Sequence, residues 1–220
     1  MLADRVRMGR KKGKEVYLAQ DDDFVKVNNR WVYRGSKLEV EIPHIIQGEE
    51  VTSYEYMFYG SGSYLATPVT RVDSNNKNVT DMRYMFFDSK ATTLDLSGLN
   101  TTNVTNMFNM FYFSSATTLD LSNFDTSNVV DMSGMFQYSQ ATSLDLSSFD
   151  TSKVTGMDGM FYGSQATSLD LSSFDTSNVI YMWGMFMESQ ATTGYARTQA
   201  DADRFNNSDD KPSALVFVVK

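Results

Sequence analysis

The chain has 220 residues, of which 41% are hydrophobic, and it carries a formal net charge of −8, with no cysteine and one histidine. The lack of cysteine excludes disulfides, thiolate catalysis and cysteine-based metal sites, and one histidine cannot build a histidine triad or a histidine metal cluster. We therefore expect no enzyme activity, no cofactor and no metal site. No apolar run reaches the roughly 20 residues that a membrane helix needs, so we also expect no membrane insertion.

Residues 1–14 form a basic segment in which Asp4 is the single acidic side chain. We interpret this segment as a flexible N-terminal tail; the alternative is a docking segment for an acidic partner or a phosphate backbone. The candidate docking residues are Arg5, Arg7, Arg10, Lys11, Lys12 and Lys14.

Residues 15–50 are predicted to form an N-terminal β cap that also serves as a docking region. The segment FVKVNNRWVYRG has strand-like patterns on both sides of Asn28-Asn29, which predicts an antiparallel hairpin turned at these two residues. A cap of this kind protects the exposed end of a repeat array from edge pairing.

A 25-residue unit repeats through residues 51–193. A methionine, a Met-Phe pair and a leucine pair keep the same register in successive units, and VTSYEYMF at 51–58 is a divergent copy placed 28 residues before VTDMRYMF. A fixed period of this length predicts a solenoid in which each unit stacks on the next. The valines that mark the period are Val79, Val104, Val129, Val154 and Val179.

Each unit combines two apolar patterns. In TSLDLSSF the apolar residues alternate, which predicts a short strand with one face buried. In NVTDMSGMF they recur at i, i+3, i+6 and i+7, which predicts a short helix capped by the asparagine, although glycines at 134, 159 and 184 favour 3₁₀ or irregular coil in some units. The predicted fold class is α/β: a solenoid with a parallel sheet on one side and short helices on the other.

Residues 194–220 are predicted to form a C-terminal cap made of one helix and one strand. A polar helix begins at Thr198 and ends near Asn206, the turn NNSDDKP follows, and ALVFVV has the composition of a final strand.

The consensus unit LDLSSFDTSNVTxMxxMF closely resembles the BspA-like leucine-rich repeats of bacterial and phage surface proteins, and the resemblance covers residues 78–193. It implies a right-handed, leucine-rich-repeat-like solenoid that serves adhesion or receptor recognition. The family often has Cys and Leu after the Met-Phe pair, where this chain has Ser and Ala, for example Ser164 and Ala166.

The array carries two series of aspartates at the 25-residue period. Residues 78–189 hold 12 acidic and three basic side chains, so we expect the array to repel nucleic acid. Asp125, Asp150 and Asp175 each precede Thr-Ser and are predicted to cap turns. The other series points outward from the strands, either as a solvated face or as a site for Ca²⁺ or a basic partner. This acidic ladder consists of Asp95, Asp120, Asp145 and Asp170.

A recognition surface is expected where the units differ from one another, because a constraint imposed by the scaffold would keep a position constant. Large aromatic residues occur at three such positions of the unit, and aromatic residues dominate binding energies and stack on sugars. The alternative is that neighbouring units partly bury them. The candidate aromatic residues are Phe108, Tyr112, Phe113, Tyr138, Tyr162 and Trp183.

These observations favour a non-enzymatic binding or structural protein. No secretory signal, lipid motif or wall anchor is recognisable in these 220 residues, so we expect a phage virion component, from the tail or the particle surface, that is assembled in the host cytoplasm. Its expected partners are other virion proteins or a receptor or glycan of the host surface. The alternatives are a bacterial cell-surface adhesin and an assembly protein that uses the solenoid for homo-oligomer or capsid contacts.

Overall fold

In the computed structural model, residues 8–11, 14–60, 68–208 and 210–220 are described. The chain forms a β-solenoid of about eight turns, with a parallel sheet and few helices. The strands are β1 (Met8–Lys11), β2 (Lys14–Leu18), β3 (Phe24–Val27), β4 (Arg30–Tyr33), β5 (Glu39–Glu41), β6 (Ile45–Ile46), β7 (Glu49–Glu50), β8 (Arg71–Ser74), β9 (Thr93–Leu99), β10 (Thr118–Leu119), β11 (Ser143–Leu144), β12 (Ser168–Leu171), β13 (Thr193–Ala196) and β14 (Val216–Val219). A 3₁₀ helix covers Asp21–Asp23 and the helix α1 covers Gln199–Asn206.

One strand from each turn stacks into a parallel ladder. The sheet has the order β1-β2-β5-β8-β9-β10-β11, and a second sheet has the order β12-β13-β14. Thr118 of β10 pairs with Thr93 on one side and Ser143 on the other, which is the 25-residue register of the sequence. The amide of Thr167 donates to the carbonyl of Thr142 at 3.3 Å and links the two sheets. The ladder begins at β2, ahead of residue 51, and continues beyond residue 193 to β14.

A second parallel ladder runs along the turn side of the solenoid. Isolated bridges join Ser53 to Asp81 and then continue at 25-residue steps through Asn106, Asp131, Gly156 and Tyr181. The bridge from Ser53 to Asp81 spans 28 residues, so residues 51–58 stack on the next unit as a copy with an altered spacing.

The predicted short helices are wrong: no helix forms in residues 78–193, all of which are described, and each of these segments is a run of turns. The amide of Met85 donates to the carbonyl of Met82 at 3.3 Å, and the third residue of that turn, Tyr84, has a φ of 56°. Asp88, four positions on, has a φ of 54°. Two left-handed residues per unit stop a helix from propagating, so the fold class is a β-solenoid and not α/β.

The core consists of the side chains that keep the repeat register. The valines, leucines and Met-Phe pairs of the units are buried, as are all but one of the repeated methionines, Met182 being partly buried. The phenylalanines of the Met-Phe pairs form one stacked column with ring centroids 5.6 to 6.1 Å apart and planes within 9° of parallel. The column consists of Phe58, Phe86, Phe111, Phe136, Phe161 and Phe186.

Aromatic side chains from outside the repeats close both ends of this column. At the N-terminal end, Tyr33 of β4 contacts Phe58 with a centroid distance of 5.6 Å. Strands β3 and β4 form an antiparallel hairpin whose turn residues, Asn28 and Asn29, have φ of 49° and 64°. At the C-terminal end, Phe205 of α1 and Phe217 of β14 contact the last ring of the column. Among the described residues, no helix has the length and hydrophobicity of a membrane span.

Candidate binding surface

The six candidate aromatic residues lie on the turn side of the solenoid and differ in exposure. The exposed fraction is 44% for Phe113 and 72% for Trp183, while the other four are half-buried. The position of Phe113 is held by a residue with positive φ in successive units, for example Tyr138 with a φ of 53°. A side chain on such a left-handed residue is therefore oriented by the turn and not by helix geometry.

Four of the six residues form one continuous aromatic column on the surface. The ring centroids of Tyr112 and Phe113 are 4.5 Å apart, those of Phe113 and Tyr138 are 4.9 Å apart in a stacked arrangement, and those of Tyr138 and Tyr162 are 4.9 Å apart. The neighbouring Tyr162 hydroxyl, partial desolvation and the nearby carboxylate of Glu188 raise the pKa of Tyr138. Each ring covers part of its neighbour, so the aromatic side chains of the column are partly buried by one another and partly exposed to solvent.

The column extends toward the N-terminus through residues that the sequence comparison does not single out. The rings of Tyr56 and Tyr84 stack with centroids 4.5 Å apart, and those of Tyr59 and Phe87 stack at 5.1 Å. Phe87 contacts Tyr112 at 5.0 Å. The divergent first copy at residues 51–58 therefore contributes to the same surface.

The ring of Phe108 contacts that of Tyr84 with a centroid distance of 5.3 Å, so Phe108 borders this column, whereas Trp183 lies apart from it. The two residues lie at opposite ends of a groove of about 580 Å³. Between them the floor consists of small residues, among them Ser133, Gly134 and Gly159, where other units carry larger side chains. Tyr162 lines the groove on the side of the aromatic column. The groove therefore arises because two consecutive units with small residues lie between units with large aromatic residues.

The polar groups that line the groove include three oxygen acceptors. The carboxylate of Asp131 accepts a hydrogen bond from the amide of Ser133 at 2.9 Å, and that of Asp158 accepts one from the amide of Trp183 at 2.7 Å. Asn109 Oδ1 is a buried side-chain oxygen without a hydrogen-bond partner among the described residues. Sequence reasoning did not identify these three residues, although Asp158 occupies the position of Phe108 and Trp183 in its unit.

The groove includes one further aromatic residue that sequence reasoning missed. Tyr181 is 62% exposed and lies at the same end of the groove as Trp183. It occupies the bridge position that is held by Asp81, Asn106 and Asp131 in earlier units. A comparison of the units at this position would have identified it.

The acidic ladder is held by local hydrogen bonds. The Asp120 and Asp145 carboxylates each accept from the hydroxyl and the amide of the serine two residues on, and the bonds from Ser147 lower the pKa of Asp145. The Asp95 carboxylate pairs with the guanidinium of Arg71 at 3.0 Å. Among the described residues, no group of three or more histidine, aspartate or glutamate side chains has the geometry of a metal site.

Asp170, the last member of the acidic ladder, pairs with Lys220 at 2.5 Å. Burial raises its pKa, but the hydrogen bonds from Lys220 and Ser172 outweigh burial and lower it overall. The carboxylates of the ladder therefore have a local hydrogen-bond or ion-pair partner at every step.

The second series of aspartates caps turns as predicted. Asp125, Asp150 and Asp175 each accept a hydrogen bond from the amide of the serine two residues on, at 2.9 to 3.1 Å. Asp175 also pairs with Arg197 at 2.9 Å.

The basic docking candidates fall into two groups. Arg5, Arg7 and Lys12 lie outside the described residues. Arg10 and Lys11 belong to β1, and Lys14 begins β2, which pairs antiparallel with β1 at the end of the sheet.

A family model described as "Mycoplasma protein of unknown function, DUF285" matches residues 44–142 and again residues 112–208. The two matches overlap within the 25-residue units and together span more than half of the chain. No curated protein and no solved structure matches the chain. The family match coincides with the stacked units of the solenoid, and the chain belongs to the DUF285 family.

Proposed function

We propose that this protein is a non-enzymatic binding protein whose solenoid presents its aromatic column and groove to a receptor or glycan on another surface. The observation that carries this proposal is the separation of constant and variable residues. The constant residues of the units are buried, whereas the aromatic residues that differ between units lie half-buried or exposed on one side. Contiguous exposed aromatic area of this kind is typical of interaction sites.

The resemblance to BspA-like leucine-rich repeats supports the same proposal, and with it a right-handed solenoid. We place the protein on a phage virion, in the tail or at the particle surface, with a bacterial cell-surface adhesin as the alternative. Fractionation of the native host, with the protein followed by antibody, distinguishes a virion fraction from a cell-envelope fraction.

Binding of fluorescently labelled protein to intact host cells tests the proposal. We expect Trp183→Ala and Phe113→Ala to weaken binding at least about fivefold, because each removes an exposed aromatic side chain. Asp120→Asn is the control, since Asp120 is an exposed residue of the acidic ladder, outside the aromatic surface. Binding that all three variants retain equally would contradict the proposal.

A second candidate function, assembly with further copies, is favoured by the C-terminal strand. Strand β14 pairs with β13 on one side, and Val216, Val218 and Val219 are exposed on it. An apolar edge strand can pair with another chain. Light scattering coupled to size-exclusion chromatography tests this candidate: a monomer at high concentration would contradict it.

A further inference from the structure

We propose that the groove between Phe108 and Trp183 binds a cationic side chain, of arginine or lysine, carried on an extended segment of a partner protein. This inference rests on the proposed binding function and specifies the chemistry of its ligand.

The shape of the groove suits an extended segment. Phe108 and Trp183 are three units apart, which corresponds to about 14 Å at about 4.8 Å per stacked strand. Gly159 contributes no side chain to the floor, and a Cβ there would meet no atom closer than 3.6 Å, so a peptide backbone can approach closely at this residue. Tyr162 and Tyr181 add aromatic area at the sides.

The charge of the groove selects the sign of the ligand. Asp131 and Asp158 are the charged residues among the described residues that line it, and both are acidic. The surrounding array adds to this field, because residues 78–189 hold 12 acidic and three basic side chains. A cationic segment is therefore attracted, whereas an anionic ligand is repelled.

The types of side chain in the groove match a guanidinium or ammonium group. Tryptophan and tyrosine faces attract cations, and carboxylates pair with them. Asn109 Oδ1 lies 1.8 Å from the point where a Cβ on residue 134 would sit, so this unpartnered acceptor occupies the space over Gly134. Arginine and lysine carry only donors, and one of these donors can satisfy Asn109 Oδ1 once rotation of the side chain brings this buried oxygen into the groove.

The test uses the full-length protein and a fluorescein-labelled peptide of alternating arginine and glycine, with binding followed by fluorescence anisotropy. We expect saturable binding that weakens with salt, and we expect Asp158→Asn and Trp183→Ala each to reduce the affinity about fivefold or more. Asp120→Asn is the matched control, because it removes the same charge from the acidic ladder on the sheet side. Its affinity should stay within about twofold of the wild type.

Equal weakening by Asp158→Asn and Asp120→Asn would overturn the inference, because it would indicate diffuse attraction by the whole array. Absence of peptide binding would overturn it as well. A chitohexaose titration forms the second arm: binding that depends on Trp183, without peptide binding, would indicate a glycan groove.

The cell-binding experiment separates the two levels of proposal. Loss of cell binding in Trp183→Ala without peptide binding would leave the proposed function in place and remove this inference. If Trp183→Ala left peptide binding unchanged, and Trp183→Ala and Phe113→Ala both left cell binding unchanged, both proposals would fail.

Discussion

Gly194 and Phe217 share one space at the C-terminal end of the solenoid: a Cβ on residue 194 would lie 2.3 Å from the Phe217 ring. The preceding units carry a leucine at this position, for example Leu169, which pairs with Gly194 across the sheet. The fifth unit therefore has glycine in place of leucine, and the Phe217 ring of β14 fills the space that the leucine side chain would occupy. The array ends where a side chain from outside the repeat takes the place of a repeat side chain.

Restoring the repeat residue with Gly194→Leu should destabilise the protein. The new side chain overlaps the buried Phe217 ring, and overpacking of this kind costs about 1–3 kcal/mol of unfolding free energy. Phe217→Ala alone should cost about 3–5 kcal/mol, and the double variant should cost less than the sum of both. Urea denaturation measures all three.

Gly184→Ala is the control for the change of glycine itself. Gly184 has a φ of 61°, and a Cβ there would meet only the Cβ of Met187, at 3.9 Å. The variant should lose about 1 kcal/mol, from backbone strain alone. A strictly additive double variant of Gly194 and Phe217 would contradict the shared space.

The carboxylate of Asp201 continues the hydrogen bonds of the solenoid at this same end. In earlier units a threonine hydroxyl donates to the backbone of the next unit, as Thr151 does to the carbonyl of Asp175 at 3.0 Å. The hydroxyl of Thr176 instead donates to Asp201 Oδ1 at 2.6 Å. Asp201→Ala should cost about 1–3 kcal/mol of unfolding free energy, because buried donors lose their partner.

The stabilisation from Asp201 should depend on pH. Burial raises the pKa of this carboxyl, but hydrogen bonds from Thr176, Thr198 and Arg197 outweigh burial and lower it overall. A folded-state pKa below the unfolded value stabilises the fold above about pH 4, and this contribution is lost as the pH falls through the folded-state pKa. Urea midpoints should therefore fall more steeply on acidification for the wild type than for Asp201→Asn. Parallel acid profiles would contradict this assignment.

Tyr54 should make stability depend on pH at the alkaline end. Its hydroxyl is buried and shares a 2.6 Å hydrogen bond with Ser74 Oγ, and burial raises its pKa to about 12. The unfolded chain loses this proton near pH 10 and the folded chain near pH 12, so stability falls between these values by about 2–3 kcal/mol. Tyr54→Phe cannot titrate and should lose about 1 kcal/mol at neutral pH, with a flatter profile from pH 10 to 12. A profile as steep as that of the wild type would contradict the prediction.

The sequence was sufficient to predict the register and the core but not the conformation of half of each unit. Val79, Met82, Met85 and Phe86 are buried as predicted, yet the predicted helix is absent. The spacing i, i+3, i+6, i+7 is compatible with successive turns as well as with a helix, since both return side chains to one side. Positive φ at Tyr84 and its equivalents is what prevents a helix. In the sequence, only the glycines at this position in later units indicate this conformation.

The groove illustrates the same limit for the candidate site. Comparison of the units identified Phe108 and Trp183 as exceptional positions, because large side chains stand out in an alignment of repeats. It did not identify the groove, because Gly134 and Gly159 contribute space and not side chains. A cavity made by absent side chains becomes visible only when the units are stacked in three dimensions.

Asn109 offers a test in which stability and binding change in opposite directions. Its equivalents Gly134 and Gly159 share the left-handed conformation, and Asn109 itself has a φ of 54°. Asn109→Gly removes the unpartnered buried oxygen, whose burial costs about 1–3 kcal/mol, and relieves the left-handed backbone. The greater conformational entropy of glycine in the unfolded chain costs about 1 kcal/mol. Because this cost is smaller than the combined gain, the variant should have a higher free energy of unfolding than the wild type.

The same variant should bind the arginine-glycine peptide more weakly, because the groove loses an acceptor that a ligand donor can satisfy. Urea denaturation and fluorescence anisotropy on one preparation measure both quantities. A residue that served the scaffold alone would lose stability on replacement and leave binding unchanged. A stabilised variant with weakened binding would instead indicate that Asn109 is retained for the ligand, at the expense of the fold.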